Sequence, residues 1–237
     1  MKSARVLVTG PVGELDEWCA AARGVGWEAI PWPLIVIAEL APEPAFAFVV
    51  PDHLCITSAH AVGFLEELAV REPALRALPC SIVGERSVSR LRALGFRGEI
   101  EWHGSAEALA TALCARAPRP TRVLWPRGDK SEELARVLRA AGMTVDDPIA
   151  YTNRPRAADE QPPECELVFF ASPSAVRAWS DAFAEHPVQR ALAIGSTTFQ
   201  ALLSGKSLPF SDIISLPEPT SSSFAVALQH IDLRPTP

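Results

Sequence analysis

Residues 169–179 read FFASPSAVRAW, and residues 55–65 read CITSAHAVGFL. Both run through apolar residues to a Ser, pass two positions, reach Ala-Val and continue at helical spacing. An apolar run of strand length that stops at a helix-capping residue and then turns helical reads as strand, turn and helix. Ser58 and Ser172 stand 114 positions apart, so the chain states this unit twice.

Other echoes keep the same order. SIVGERSVSRLRALGF from Ser81 matches LAIGSTTFQALLSG from Leu192, with Gly84 and Gly195 111 apart. SAEALATAL from Ser105 matches TSSSFAVAL from Thr220, 115 apart, and RVLVTGP from Arg5 matches RVLWPRG from Arg122, 117 apart. The offset is too long for a solenoid repeat and is the length of a domain, so the pattern reads as a duplication. Alone, it would divide the chain near residue 118.

Each unit has the same grammar. Short runs such as Val6-Leu7-Val8, Leu54-Cys55-Ile56, Ile82-Val83, Val168-Phe169-Phe170 and Ala193-Ile194 end at small or polar residues. Helical patterns follow, for example from Ser87 and Glu132, with Gly95 and Gly142 as stops. Strand–helix alternation with short turns predicts an α/β fold with two parallel sheets, each flanked by helices. In such sheets the strand-to-helix turns gather at one edge, where ligands bind. The repeated polar residues fall in those turns: Thr57, Ser58, Ser87, Ser105, the Arg127-Gly128-Asp129 stretch, Ser172, Ser174, Thr197, Thr198 and Thr220, with Gly84 opening one of them. Taken singly, each hydroxyl is better read as a helix cap. Taken together, they put helix N-termini and free N–H groups where anions, carboxylates included, are favoured.

Composition narrows the function. The 237 residues are 48% hydrophobic and 21% charged, which is globular, and the formal net charge of −6 argues against a nucleic-acid partner. Five cysteines, at 19, 55, 80, 114 and 165, form no CxxC pair and suit a reduced cytoplasm; Cys55 reads as a buried core residue. No signal peptide or membrane span is legible. There is no GxGxxG after a strand, no GxxxxGK, no HExxH and no GxSxG, and the five histidines are scattered. The six tryptophans sit in apolar segments and read as core. The residues therefore point to a protein that uses neither metal nor nucleotide and holds an anionic ligand.

The segments RVLVTGP, CITSAHAV, SIVGERSVSRLRALGF, VLWPRGDKSEELARVLRAAGMTVDDPIAYTNRP, FFASPSAVRAW, AIGSTTFQAL and EPTSSSFAVAL, taken in order, resemble the uroporphyrinogen-III synthase family over nearly the whole chain. The run from PRGD to the Tyr of IAYTNRP is the most specific. Three places depart from the family pattern: Gly10 stands where Arg often precedes the first Pro, His60 where Asn is common, and Ser196 where Pro is usual. The resemblance implies two similar flavodoxin-like domains that interleave, residues 1–36 plus 155–237 and residues 37–154, with a two-stranded linker and a cleft between them.

The resemblance also implies a chemistry. The family's substrate is hydroxymethylbilane, a linear tetrapyrrole rich in carboxylates, which the enzyme cyclises to uroporphyrinogen III with inversion of ring D and loss of water. No cofactor is implied. Tyr151, the only tyrosine, matches the family's tyrosine and reads equally as the candidate donor to the leaving hydroxyl and as an amphipathic side chain that covers the hinge. Thr57, Ser58, Gly84, Ser87, Ser105, Arg127, Ser172, Ser174, Thr197 and Thr198 are the candidate substrate-binding residues, with Arg127 read either as a free cation for a carboxylate or as a solvated surface residue. The implied protein is a cytoplasmic monomer without nucleic-acid or membrane partners, compatible with transient contact with the preceding enzyme of its pathway. Two other classes stay open: a non-catalytic tetrapyrrole or small-molecule binding or regulatory protein on the same fold, and an unrelated two-domain α/β protein.

Overall fold

The computed structural model describes residues 3–44, 46–116, 120–157, 159–188, 190–204 and 208–231, with the side chains of 85 and 86 left aside. The division near residue 118 that the repeat suggests lies outside them. Along the chain run β1 (Arg5–Thr9), α1 (Asp16–Gly24), β2 (Glu28–Pro31), β3 (Ile35–Glu39), β4 (His53–Ile56), α2 (Val62–Arg71), β5 (Cys80–Val83) and α3 (Glu85–Ala93). Then come β6 (Ile100–His103), α4 (Ala106–Ala115), β7 (Arg122–Leu124), β8 (Arg127–Gly128), α5 (Glu133–Ala140), β9 (Thr144–Asp146) and β10 (Ile149–Pro155). The last are β11 (Leu167–Phe170), α6 (Pro173–Phe183), β12 (Arg190–Ala193), α7 (Ser196–Ser204), β13 (Asp212–Ser215) and α8 (Ser221–His230).

Two compact units result: residues 1–36 with 154–237, and residues 37–153. The first holds a five-stranded sheet in the order β13-β12-β11-β1-β2, and the second a five-stranded sheet in the order β6-β5-β4-β7-β9. Every neighbouring pair in both is parallel. Under the sequence echoes β13, β12, β11 and β1 correspond to β6, β5, β4 and β7, so the two orders are the same. The chain passes between units within β3 and within β10, neighbours in a small sheet that β8 extends to three strands.

The burial pattern explains the layers. Leu54 and Ile56 of β4 join one apolar cluster with Phe64, Leu65, Leu68 and Leu91, while Cys55 between them joins another with Leu109, Leu113, Val123, Leu134 and Leu138. Alternate side chains of a strand point to opposite faces, so a strand buried throughout needs helices on both. In the first unit Trp18, Phe169 and Phe224 form an aromatic cluster with ring centroids 4.4–5.7 Å apart. Burying each such side chain contributes ~1.5–3 kcal/mol. Gly95 and Gly142, the expected stops, take φ of +79° and +87°, a region costly for other residues.

Some local expectations change. Arg127-Gly128 is a strand rather than a turn, because the Arg127 N–H donates to the Pro148 carbonyl (2.9 Å) and Gly128 pairs with Tyr151. Trp102 is 58% exposed, so not every tryptophan is core. Burial pushes the Cys55 thiol up strongly and the Cys80 and Cys165 thiols up to about 12, which leaves them unreactive at neutral pH. Among the described residues no helix is long and apolar enough to cross a membrane, and no His, Cys, Asp and Glu group is arranged to hold a metal ion.

Candidate functional site

Two of the sequence candidates meet in one place. A cavity of about 650 Å³ in the second unit is lined by Thr57, Ala106, Trp125, Lys130, Ser131, Glu132, Glu133, Leu134 and Tyr151. Thr57 reaches it because β4 ends at Ile56. Its Oγ1 accepts a hydrogen bond from Trp125 Nε1 (3.1 Å), which fixes a buried indole in the wall. Tyr151 lies half-buried on β10, and its backbone carbonyl accepts from the Asp129 N–H (3.1 Å). The Tyr151 ring rests on the Gly128 backbone: a Cβ at Gly128 would stand 2.8 Å from Cε2 and 3.0 Å from the phenol oxygen. Its second ring neighbour is His60, with centroids 5.6 Å apart.

His60 belongs to a charged group. Its Nδ1 lies 3.1 Å from Glu39 Oε1, and Arg90 holds the same carboxylate with both terminal nitrogens at 3.1 Å. The Arg90 hydrogen bonds, with a smaller contribution from His60, hold the Glu39 carboxyl below its ordinary range. Arg90 also donates to the Ala59 carbonyl (2.9 Å), which ties the carboxylate to the turn that carries His60.

The other candidates divide by what their polar atoms already do. Ser58 accepts from the His60 N–H (3.3 Å), Ser105 from the Ala108 N–H (3.1 Å) and Ser172 from the Ala175 N–H (3.2 Å), each capping the helical turn that follows. Ser105 is exposed and immediately precedes cavity-lining Ala106. Gly84 is exposed at φ +85° and opens α3. Ser87 is buried, its hydroxyl donating to the Val83 carbonyl (3.2 Å), so that group closes the start of α3 instead of facing a ligand. Arg127 is not a free cation. Its Nε donates to Asp147 Oδ2 at 2.8 Å, and Arg139 binds the same carboxylate.

Four candidates lie in the first unit. Ser172 and Ser174 hydroxyls are 3.0 Å apart at the start of α6, with Ser174 buried. Thr197 is exposed in the first turn of α7, whereas the neighbouring Thr198 is buried at 1% exposure. The helical step of about 100° per residue turns consecutive residues to different faces, so Thr197 and Thr198 do not present their hydroxyls together. Gly10, the departure near the first turn, is closely packed: a Cβ there would stand 3.0 Å from Leu15 Cδ2 and 3.1 Å from Ala171 Cβ, so these neighbours would have to give by a few tenths of an ångström.

Sequence reasoning missed Trp125, Lys130 and Leu134 as lining residues. Lys130 stands in the RGDKSEE run beside the specific PRGD segment, and that adjacency was the available signal. It also missed that His60 touches the Tyr151 ring, since the two are 91 positions apart.

The family model described as uroporphyrinogen-III synthase HemD matches residues 16–224. No curated protein sequence matches the chain. Among solved structures, a uroporphyrinogen-III synthetase from Helicobacter pylori aligns with a TM-score of 0.64 at 18% identity, covering 94% of this chain and 98% of that one. A mutant uroporphyrinogen III synthase from the extremely thermophilic bacterium Thermus thermophilus aligns with a TM-score of 0.62, also at 18% identity, covering 96% and 98%. These likenesses show a shared two-domain α/β fold.

Proposed function

The chain belongs to the uroporphyrinogen-III synthase family, cyclising lyases of porphyrin biosynthesis, and from that premise we propose how its residues do the work. The substrate is hydroxymethylbilane and the product uroporphyrinogen III, formed with inversion of ring D and loss of water. The observation that carries the reading is the family match over residues 16–224.

The substrate ionises readily, so the protein's contribution is mainly to hold one folded form of it. In the second unit its carboxylates are taken by first-turn N–H groups after Thr57-Ser58, Gly84 and Ser105, where helix dipoles favour negative charge; the corresponding turns of the first unit, at Ser172-Pro173-Ser174 and Ser196-Thr197, offer groups of the same kind. Ser87, Ser174 and Thr198 contribute by shaping those turns, since they are buried. Arg127, paired with Asp147, braces β8 beneath Tyr151. The Tyr151 phenol donates a hydrogen bond to the leaving hydroxyl as it gains negative charge. Support for that role comes from its place on the wall of the cavity that Thr57 also lines. The protein acts as a cytoplasmic monomer.

The test is to supply freshly made hydroxymethylbilane to the purified protein with a chelator present and to separate the product isomers. Isomer III is expected. Isomer I alone, as forms without protein, would sink the enzymatic reading and favour the binding protein.

A further inference from the structure

We propose that Gly128 and His60 are positioning residues that fix the Tyr151 ring, with Glu39 and Arg90 holding His60 in place. The inference rests on the reading of Tyr151 as the donor to the leaving hydroxyl. All five residues lie in the second unit.

Gly128 is the first half of the device. It is not among the positive-φ glycines, so its backbone does not call for glycine. What excludes a side chain is the tyrosine, because a Cβ would stand 2.8 Å from Cε2, 2.9 Å from Cζ and 3.0 Å from the phenol oxygen. The ring therefore sits directly on the main chain of β8. That chain is itself aligned with β10 by the Asp129 N–H to the Tyr151 carbonyl (3.1 Å) and the Asn153 N–H to Asp129 Oδ1 (3.1 Å). A seat made of backbone tolerates less displacement than one made of side chains, because it has no rotamers.

His60 is the second half. Its ring is tilted 52° to the Tyr151 ring at 5.6 Å, within the range of favourable aromatic pairs. Its own direction is set by the Nδ1 contact with Glu39 (3.1 Å). Glu39 has little freedom to move. Arg90 grips both of its oxygens, and its Oε2 approaches the first turn of α2 so closely that a Cβ on Gly63 would meet it at 3.2 Å. Both a bidentate guanidinium and a helix N-terminus favour a fixed carboxylate. The charged groups facing His60 include Glu39 and Arg90, and the phenol is a further titratable group in contact. Misplacement of a catalytic group by about 1 Å can cost ~100-fold in rate, so a fixed ring is a functional requirement of such a donor.

Tyr151 is the only tyrosine, so ring-labelled tyrosine gives the full-length protein a single set of ring resonances. We expect those resonances to move in Gly128→Ala and in His60→Ala, and more weakly in Glu39→Gln, while methyl resonances elsewhere keep their positions. With hydroxymethylbilane, kcat should fall by roughly 10- to 100-fold in Gly128→Ala, with KM changing much less. The double variant Gly128→Ala, Tyr151→Phe should be little slower than the slower single variant, because both disable the same donor. If Gly128→Ala does not fold, His60→Ala and Glu39→Gln carry the test. Ring resonances unmoved in the folded variants would overturn the clamp. Wild-type turnover by Tyr151→Phe would instead sink the reading of Tyr151 as donor, and the resonances would still judge the clamp on their own.

Discussion

His53 should make the protein lose stability in mild acid. Its side chain is 2% exposed on β4, and its Nε2 is 2.9 Å from the Ser81 hydroxyl. Burial, with smaller repulsion from Arg116 and His103, pushes its pKa from 6.5 down to about 4. The unfolded chain then binds a proton more readily than the folded one, so this contribution is complete above pH 6.5 and is lost as pH falls toward 4. Fully developed, the difference is worth ~3 kcal/mol, and at pH 5 ~2 kcal/mol is already gone. Urea unfolding at pH 7.5 and pH 5 measures it. A His53→Gln variant keeps a polar group within reach of Ser81 but has no proton to gain. The wild type should lose ~2 kcal/mol more than the variant between the two pH values. Equal losses would refute the argument, whatever the variant's stability at pH 7.5.

Tyr151→Phe should slow turnover by about 10- to 100-fold, because one donor is lost from a reaction that ionises unaided, while the product stays isomer III. Stopped turnover in a folded variant would mean that a specific acid carries the step. A fragment of residues 38–153 should unfold cooperatively by circular dichroism, because it contains all five strands of the β6-β5-β4-β7-β9 sheet. A fragment of residues 1–118 should not, as β1 and β2 would lack β11, β12 and β13.

The candidate site was partly legible. Ser58, Ser105, Ser172 and Thr220 accept hydrogen bonds from nearby first-turn N–H groups, which is the capping role their residue types and places announce. Such bonds span two or three positions, so sequence alone can specify them. Ser87 and Arg127 were not legible in the same way. Whether Ser87 faces outward depends on where α3 lies on its sheet, and whether Arg127 is a free cation depends on Asp147, 20 residues away.

Apolar periodicity and caps act over a few residues, so the strand–turn–helix grammar, its duplication and hence two parallel sheets flanked by helices are legible in the order of the residues alone. Which strands meet is settled at the level of the folded chain. The repeat offers β1 two equivalent neighbours, β4 within its own half and β11 in the other. In the structure β1 pairs with β11, Val6 opposite Leu167, while β4 pairs with β7, Leu54 opposite Leu124. Each sheet is therefore built from one part of each repeat. Duplicated strands carry nearly the same apolar pattern, so local periodicity does not distinguish the two pairings. The choice falls to long-range packing: Trp18 of α1 meets Phe169 of β11 and Phe224 of α8, joining residues from opposite ends of the chain in one core. The seat of Tyr151 has the same origin, since β8 supplies Gly128 and the turn after β4 supplies His60 only once those segments have been brought to β10.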